Sequence, residues 1–153
     1  MPGTYTLAPM GFSAPVIAPA GEASVTDDEF MSALESCTLP ESEFGHSGHV
    51  RAAYVCLREG GFTAALERMR RAIRNYSAHL GKPDRYHETI TVAYVALIHQ
   101  MLHERGDGGG WLEFTRRAPE LFQPDLLLKF YPKSLLESDL ARKLFVLAPR
   151  EGT

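Results

Sequence analysis

The residues of this 153-residue chain that are best suited to chemistry are two closely spaced histidines and a distant histidine–glutamate pair. His46 and His49 stand three residues apart in FGHSGHVR, and His87 and Glu88 are adjacent in YHETIT. Neutral imidazole binds transition metals or accepts a proton, and an ionised carboxylate serves as a ligand or a base. The sequence therefore predicts either a metal site formed by these four side chains or a metal-free acid–base site that uses His46, His87 and Glu88 for catalysis.

Whether these residues meet depends on the helices that carry them. Apolar residues recur at helical spacing in four segments, which predicts helices over about 27–37, 47–58, 63–80 and 84–105. Short turns join the last three, so neighbouring helices are expected to be antiparallel, and the second and fourth should begin at the same end of the bundle. The residues expected to meet at that end are His46, His49, Tyr76, Tyr86, His87 and Glu88.

The helix boundaries are marked by capping and breaking residues. Thr26 and Glu29 form a capping box at the start of the first helix, and Thr63 is the predicted cap of the third. The fourth helix is apolar on nearly every face, which predicts that it is the buried centre of the domain. The glycines of GDGGG, residues 106–110, then predict a flexible turn or a lid.

Three further short helices are predicted, around 111–117, 125–130 and 138–147, because prolines punctuate the remainder of the chain. No segment alternates with the period of a β-strand, so little or no strand is expected. The predicted fold is an all-α bundle of six to seven helices over residues 26–153. An extended or disordered arm, residues 1–25, precedes it, because four prolines interrupt that segment.

Composition excludes several classes of protein. The chain is 44% hydrophobic and 23% charged, with a net charge of −3, which is typical of a globular protein and predicts no nucleic-acid or membrane partner. The two cysteines, Cys37 and Cys56, lie in or beside apolar helical segments, which favours reduced thiols and a cytoplasmic location. The N-terminus lacks the basic start of a targeting peptide.

Three segments together resemble a poorly characterised group of small helical bacterial proteins: FGHSGHVRAAYVCL, GKPDRYHETITVAYVALI and SLLESDLARKLFVLAP. That group carries the pattern F-x-H-x-x-H-[LV]-R followed by Y-H-E-T-[IL]-T, and the resemblance covers roughly residues 28–148. The positions that match are Phe44, His46, His49, Val50, Arg51, Tyr86, His87, Glu88, Thr89, Ile90 and Thr91. The okadaic-acid-binding proteins are distantly similar, which implies a seven-helix fold enclosing a cavity for a large, mostly apolar ligand. The resemblance implies a shared site and no particular reaction.

Three functional hypotheses follow from these patterns. The favoured one is a small-molecule enzyme, in which Fe, Zn, Mn or Cu polarises the substrate or activates water, or in which histidine is the base and Glu88 orients it. The second is a binding protein for a large apolar molecule, and the third is an interaction module that forms a homodimer. The residues predicted to contact the small molecule are Arg51, Tyr54, Tyr76, Tyr86, Tyr94 and Trp111.

Each of these residues also has a structural interpretation. Histidines near a helix start often cap it or pair with a carboxylate, and Arg51 would then form an ion pair with Glu88 or Glu43. His99 and His103 are spaced to chelate a metal, but they point away from the apolar stripe, so a solvated or interface face is the better interpretation. The arginines of the third helix are likewise interpreted as solvated.

Overall fold

The computed structural model of the chain describes residues 25–149, which are helical with short connections. Within this range the seven α-helices are α1 (Asp27–Glu35), α2 (His46–Glu59), α3 (Phe62–His79), α4 (Glu88–Arg105), α5 (Trp111–Arg117), α6 (Lys133–Leu136) and α7 (Asp139–Lys143). The connections contain short 3-10 helices at Glu41–Glu43, Pro83–Arg85, Pro119–Phe122 and Leu126–Lys129. Within residues 25–149 there is no strand, and the all-α prediction is confirmed. The arm predicted over residues 1–25 lies outside the described residues except for Val25.

Helix α4 is the centre of the fold, as its uniformly apolar sequence predicts. It packs against α2, α3 and α7. Its buried residues include Val92, Tyr94, Val95, Ile98 and Met101. The predicted apolar stripe of α2, from Val50 to Leu57, is buried as well. Burial of such side chains is the main favourable term in folding, so the packing around α4 positions the candidate residues that this helix carries, Glu88 and Tyr94.

The predicted capping residues are confirmed at α1 and wrong at α3. Thr26 and Glu29 exchange two hydrogen bonds of 3.0 Å between side chain and backbone, which completes the capping box. Helix α3 begins at Phe62 with Gly61 as its N-cap, and Thr63 makes no capping bond. The helix starts earlier than predicted because Phe62 packs against the core and its ring lies 5.4 Å from that of His99.

The predicted start of α4 at residue 84 is wrong by four residues. Pro83–Arg85 forms a separate 3-10 turn, and His87 is in the extended conformation that precedes a helix. The imidazole Nδ1 of His87 accepts a hydrogen bond of 3.1 Å from the backbone N–H of Ile90. A side chain that satisfies an otherwise unpaired N–H in this way fixes where a helix begins.

The last predicted helix, 138–147, ends at Lys143 instead. Ser138 caps it as predicted, by accepting a bond of 3.1 Å from Ala141 N. Beyond it the chain is extended because the buried hydroxyl of Thr89 donates to Leu144 O at 2.7 Å and accepts from Val146 N at 3.0 Å. One threonine on α4 therefore holds the C-terminal segment against the core.

The glycine-rich connection 106–110 lies between two helices whose C-terminal ends are hydrogen-bonded to each other. Gly106, Gly108 and Gly109 have positive φ values of 72°, 67° and 106°, a conformation that glycine adopts without strain. Across the base of this connection Arg105 Nη1 donates to Arg117 O, and Arg117 Nη1 donates to Arg105 O, each at 2.7 Å. These bonds hold together the helix ends on either side of the segment, and a flexible turn or lid here stays a prediction.

Among the described residues, no helix combines the length and the apolar character needed to cross a membrane.

Substitution of Thr89 by Val tests the link between α4 and the C-terminal segment. Valine has almost the same shape but makes neither hydrogen bond, so the free energy of unfolding should fall by about 1–3 kcal/mol. Urea-induced unfolding followed by circular dichroism measures this change. Thr63→Val is the matched control, since Thr63 is exposed and caps nothing, and it should change stability by less than about 0.5 kcal/mol. Equal stability of the two variants would contradict the proposed link.

Candidate functional site

His49 and Tyr76 belong to one aromatic group at the start of α2. The His49 ring stacks on Phe44 with centroids 4.0 Å apart, and Phe44 meets Tyr76 edge-on at 5.2 Å. Nδ1 of His49 donates to Gly45 O at 2.8 Å, and the Tyr76 hydroxyl donates to Leu39 O. The two predicted site residues are thus brought together by Phe44, and each is also bonded to a nearby backbone carbonyl.

Gly48 explains why a glycine separates the two histidines of FGHSGHVR. A Cβ atom at this position would lie 2.9 Å from the carbonyl oxygen of Glu43 and 3.1 Å from Cδ1 of Phe44. The start of α2 therefore packs directly on the preceding connection, and a larger side chain would force the two apart. The spacing of the histidines reflects this close approach in addition to any chemistry.

The buried residues Glu88 and Tyr86 form a polar cluster with two arginines of α3, which are partly exposed. Its carboxylate accepts bonds of 3.0 Å from Nε of Arg70 and 2.6 Å from the Tyr86 hydroxyl, and Arg74 lies 3.9 Å away. The guanidinium of Arg74 also covers the Tyr86 ring at 4.5 Å. Burial acts to raise the pKa of Glu88, but the bonds from Arg70 and Tyr86 outweigh it and hold that pKa below its usual range. Arg70 therefore pairs with a buried carboxylate while its own side chain remains 34% exposed, so it is partly solvated.

His87, although adjacent to Glu88 in sequence, faces a different part of the fold. Its Nε2 donates to Leu136 O at 2.7 Å, while Nδ1 accepts from Ile90 N, so the ring is neutral and both nitrogens are engaged. Burial is the main cause that lowers the pKa of this imidazole. A catalytic or metal-binding role for His87 stays a prediction, and it would require one of these bonds to break.

The six residues predicted to meet at one bundle end are thus divided among four groups. His49 and Tyr76 share one, Tyr86 and Glu88 share another, and His87 and His46 each have their own surroundings. Among residues 25–149, no three His, Cys, Asp or Glu side chains are arranged so that they hold a metal ion. The predicted ligand set of His46, His49, His87 and Glu88 is not assembled here, and metal binding stays a prediction.

Arg51 forms a structural ion pair, but with a partner that the sequence did not indicate. Its Nε and Nη2 atoms donate to the same carboxylate oxygen of Asp27 at 3.0 and 2.8 Å, and Nη2 also donates to Val25 O. The guanidinium lies over the Phe30 ring at 4.9 Å. The predicted partners, Glu88 and Glu43, are therefore wrong, and these contacts join α1 to α2.

Tyr54 and Trp111, two of the predicted ligand-contacting residues, lie side by side with ring centroids 5.3 Å apart. The Tyr54 ring also stacks on Phe114 at 5.3 Å. Its hydroxyl donates to Asp107 and accepts from Arg58, both at 2.9 Å. Tyr54 is fully buried. Its ring packs against the half-buried Trp111, and its hydroxyl group has a hydrogen-bond partner on each side.

His46 and Tyr94 form the group whose polar atoms are least satisfied by the protein. Their rings meet edge-on with centroids 5.1 Å apart, and they are only 7% and 8% exposed. Nε2 of His46 donates to Leu121 O at 2.7 Å. The hydroxyl of Tyr94 is buried and has no hydrogen-bond partner, and it is the only such side-chain atom found among residues 25–149.

The protonation of His46 follows from its single hydrogen bond. A carbonyl oxygen accepts only, so the proton of the ring is on Nε2, and Nδ1 of the neutral ring has a free lone pair. Burial lowers the pKa of His46, against the smaller opposing effect of the Leu121 bond, and keeps the ring neutral. None of the described residues donates a hydrogen bond to Nδ1.

Aromatic side chains surround this pair on the side of α5 and the following 3-10 helix. The ring of Phe122 lies 6.4 Å from His46 and 6.0 Å from Trp111. Trp111 and Phe122 are themselves half-buried. We refer to His46, Tyr94, Trp111, Leu121 and Phe122 as the His46–Tyr94 site.

Leu121 and Phe122 were missed by the sequence analysis. They follow Pro119 in a short turn with no helical periodicity, and a backbone carbonyl such as that of Leu121 carries no signal in its side chain. Phe44 lies within the FGHSGHVR motif, so its aromatic type next to two histidines was the available signal for the stacking with His49.

No family model matches this chain, and neither a curated protein nor a solved structure matches it. The resemblance based on the two histidine motifs, the cytoplasmic location and the homodimer therefore stay predictions.

The buried imidazoles predict that stability falls in weakly acidic solution. Burial lowers the pKa of His46 and His87, and lowers that of His49 to about 4. In the unfolded chain histidine titrates near about 6.5. Between these values the unfolded state binds more protons, so the free energy of unfolding is largest above about pH 6.5 and decreases as the pH falls toward about 4.

Urea unfolding at about pH 7.5 and about pH 5 measures this dependence. His87→Asn should weaken it, because an asparagine caps a helix but does not titrate. His103→Asn, which replaces an exposed imidazole, is the matched control and should leave the difference between the two pH values unchanged. Equal unfolding midpoints of the unsubstituted protein at both pH values would contradict the prediction.

Proposed function

We propose that this protein binds a small organic molecule at the His46–Tyr94 site. The observation that carries the proposal is the buried Tyr94 hydroxyl, which has no hydrogen-bond partner. A buried polar group in this condition costs about 1–3 kcal/mol of stability. A ligand that accepts a hydrogen bond from this hydroxyl removes that cost. The pairing of the hydroxyl therefore contributes favourably to the free energy of binding.

The other members of the site support the same proposal. Nδ1 of His46 offers a hydrogen-bond acceptor on a ring in contact with Tyr94. The half-buried ring of Phe122 lies beside that of His46, and the half-buried ring of Trp111 lies beside Phe122, so both offer apolar contact area in the same part of the fold. Ligand sites in proteins combine a mostly apolar and aromatic lining with a few polar groups that fix orientation.

The remaining polar clusters are less suited to binding because their groups are already paired. Glu88 is bonded to Arg70 and Tyr86, and His87 uses both ring nitrogens within the fold. A ligand that engaged either residue would first have to replace an existing hydrogen bond. Tyr94 and Nδ1 of His46 require no such exchange.

An enzyme acting at the same site is the second candidate function. It is favoured by the neutral ring of His46, whose unprotonated Nδ1 is the form of imidazole that acts as a general base. In this version Tyr94 orients the substrate through its hydroxyl. His87 and Glu88 would then fix the start of α4, on which Tyr94 lies, in place of the catalytic roles predicted for them.

Substitution of Tyr94 by Phe tests whether the hydroxyl is unpaired. Removing an unsatisfied buried hydroxyl should raise the free energy of unfolding of the ligand-free protein by about 1 kcal/mol. Tyr76→Phe is the matched control, because the Tyr76 hydroxyl donates to Leu39 O, and its loss should lower the same quantity by about 1 kcal/mol. Urea unfolding measures both changes.

Equal destabilisation by Tyr94→Phe and Tyr76→Phe would contradict the proposal. That result would mean that the Tyr94 hydroxyl already has a partner, such as a buried water, in the ligand-free protein. Pairing of the Tyr94 hydroxyl with a ligand would then make no favourable contribution to the free energy of binding.

Elemental analysis tests the metal-dependent version of the enzyme hypothesis. A resident metal predicts near-stoichiometric Fe, Zn, Mn or Cu in the purified protein, and His87→Ala should abolish its retention. Circular dichroism of that variant controls for loss of helix. A protein that stays metal-free after incubation with salts of all four metals would rule this version out and would leave only the metal-free site.

A further inference from the structure

The polar atoms and the charges of the His46–Tyr94 site restrict the class of ligand, and this restriction rests on the proposed function. We infer that the site takes a neutral, flat molecule that offers a hydrogen-bond donor to Nδ1 of His46 and an acceptor to the hydroxyl of Tyr94. A cyclic amide (lactam) fused to an aromatic ring meets these requirements, because it is flat and neutral and carries an N–H donor beside a C=O acceptor.

The donor and acceptor requirements follow from the bonds already made. Nε2–H of His46 is committed to Leu121 O, which leaves only a lone pair at Nδ1 for a ligand. The hydroxyl hydrogen of Tyr94 has no acceptor among the described residues. A ligand with a donor alone would leave the Tyr94 hydroxyl unpaired, at the cost that accompanies a buried unsatisfied group. A ligand with an acceptor alone would leave Nδ1 of His46 without a donor.

The preference for a neutral ligand follows from the charges near the site. Neither Lys nor Arg among residues 25–149 makes a hydrogen bond to His46 or Tyr94. The charged group that acts on Tyr94 is the carboxylate of Asp125, which adds to the larger effect of burial in raising the pKa of that phenol. An anionic ligand would lose its hydration without gaining a counter-ion, which is strongly unfavourable.

A cationic ligand is excluded on different grounds. Asp125 is exposed, so its attraction for a cation is weakened by solvent and salt. An ammonium group donates hydrogen bonds and accepts none, and the Tyr94 hydroxyl hydrogen would remain unpaired. A neutral ligand with both kinds of group satisfies the two polar atoms without burying a charge.

The preference for a flat ligand follows from the rings that line the site. His46 meets Tyr94 and Phe122 with interplanar angles of 69° and 76°, and Trp111 meets Phe122 at 69°. Rings that cross at such angles present alternating faces and edges, against which another flat ring packs in a stacked or an edge-on arrangement.

Four probes of similar size separate these requirements. 2-Quinolinone is neutral and carries an N–H donor beside a C=O acceptor, whereas naphthalene has a similar outline but no polar groups. The other two probes are charged near neutral pH: 2-naphthoate is an anion and 2-naphthylmethylamine is a cation. Trp111 is the single tryptophan of the chain, so its indole N–H gives one identifiable peak in a ¹H–¹⁵N correlation spectrum. Titration of each probe into ¹⁵N-labelled full-length protein gives a dissociation constant from the shift of that peak.

We expect 2-quinolinone to bind at least about tenfold more tightly than each of the other three probes, because only it pairs both polar atoms. Tyr94→Phe should remove most of its advantage over naphthalene. Tyr76→Phe, in which the hydroxyl lost is bonded to Leu39 O, should retain that advantage. The Trp111 peak position in each free variant controls for a change of fold.

The outcomes separate this inference from the proposed function. If naphthalene, 2-naphthoate or 2-naphthylmethylamine binds as tightly as 2-quinolinone, and Trp111 reports it, the ligand class is wrong while binding at the site stands. If none of the four probes moves the Trp111 peak up to its solubility limit, the inference and the proposed function are both overturned.

Discussion

The arrangement of this fold depends on two hydrogen bonds made by the neutral imidazole of His87. One ring nitrogen fixes the first turn of α4, and the other holds the carbonyl of Leu136 in the C-terminal part of the chain. Thr89, two residues later, adds two bonds to the extended segment after α7. The start of the central helix therefore joins parts of the chain that are about 50 residues apart in sequence. Because α4 also carries Tyr94, these bonds set the position of the candidate site.

The polar residues at the helix starts are mostly used to build the fold. Glu88 joins α4 to α3 through Arg70, and His49 is stacked on Phe44 and bonded to Gly45. Each group is paired, which agrees with the rule that buried polar groups have hydrogen-bond partners. The Tyr94 hydroxyl is the one buried side-chain polar atom among the described residues that has no partner. This unpaired hydroxyl, more than the number of histidines, distinguishes the His46–Tyr94 site from its surroundings.

Much of the helical framework could be predicted from the sequence, because the periodicity of apolar residues and the capping residues are local signals. The capping box of α1, the burial of α4 and the extent of α5 are examples. The start of α4 and the end of α7 could not be predicted, since both depend on bonds from His87 and Thr89 to distant backbone atoms. For the candidate site, His46, Tyr94 and Trp111 were identified by residue type and spacing. Their arrangement depends on the carbonyl of Leu121, which no side-chain pattern reveals.

The two opposed bonds between Arg105 and Arg117 have a consequence for how this chain can vary. Each guanidinium reaches the other residue's carbonyl oxygen, so both bonds depend on one separation between the end of α4 and the end of α5. Replacing an exposed residue between them, apart from the three glycines with positive φ, leaves that separation unchanged, whereas inserting or deleting one would break both bonds together. The segment between the two arginines is therefore constrained in length, and at Gly106, Gly108 and Gly109 in composition as well. Trp111, which lies between the arginines at the start of α5, is positioned by the same pair of bonds.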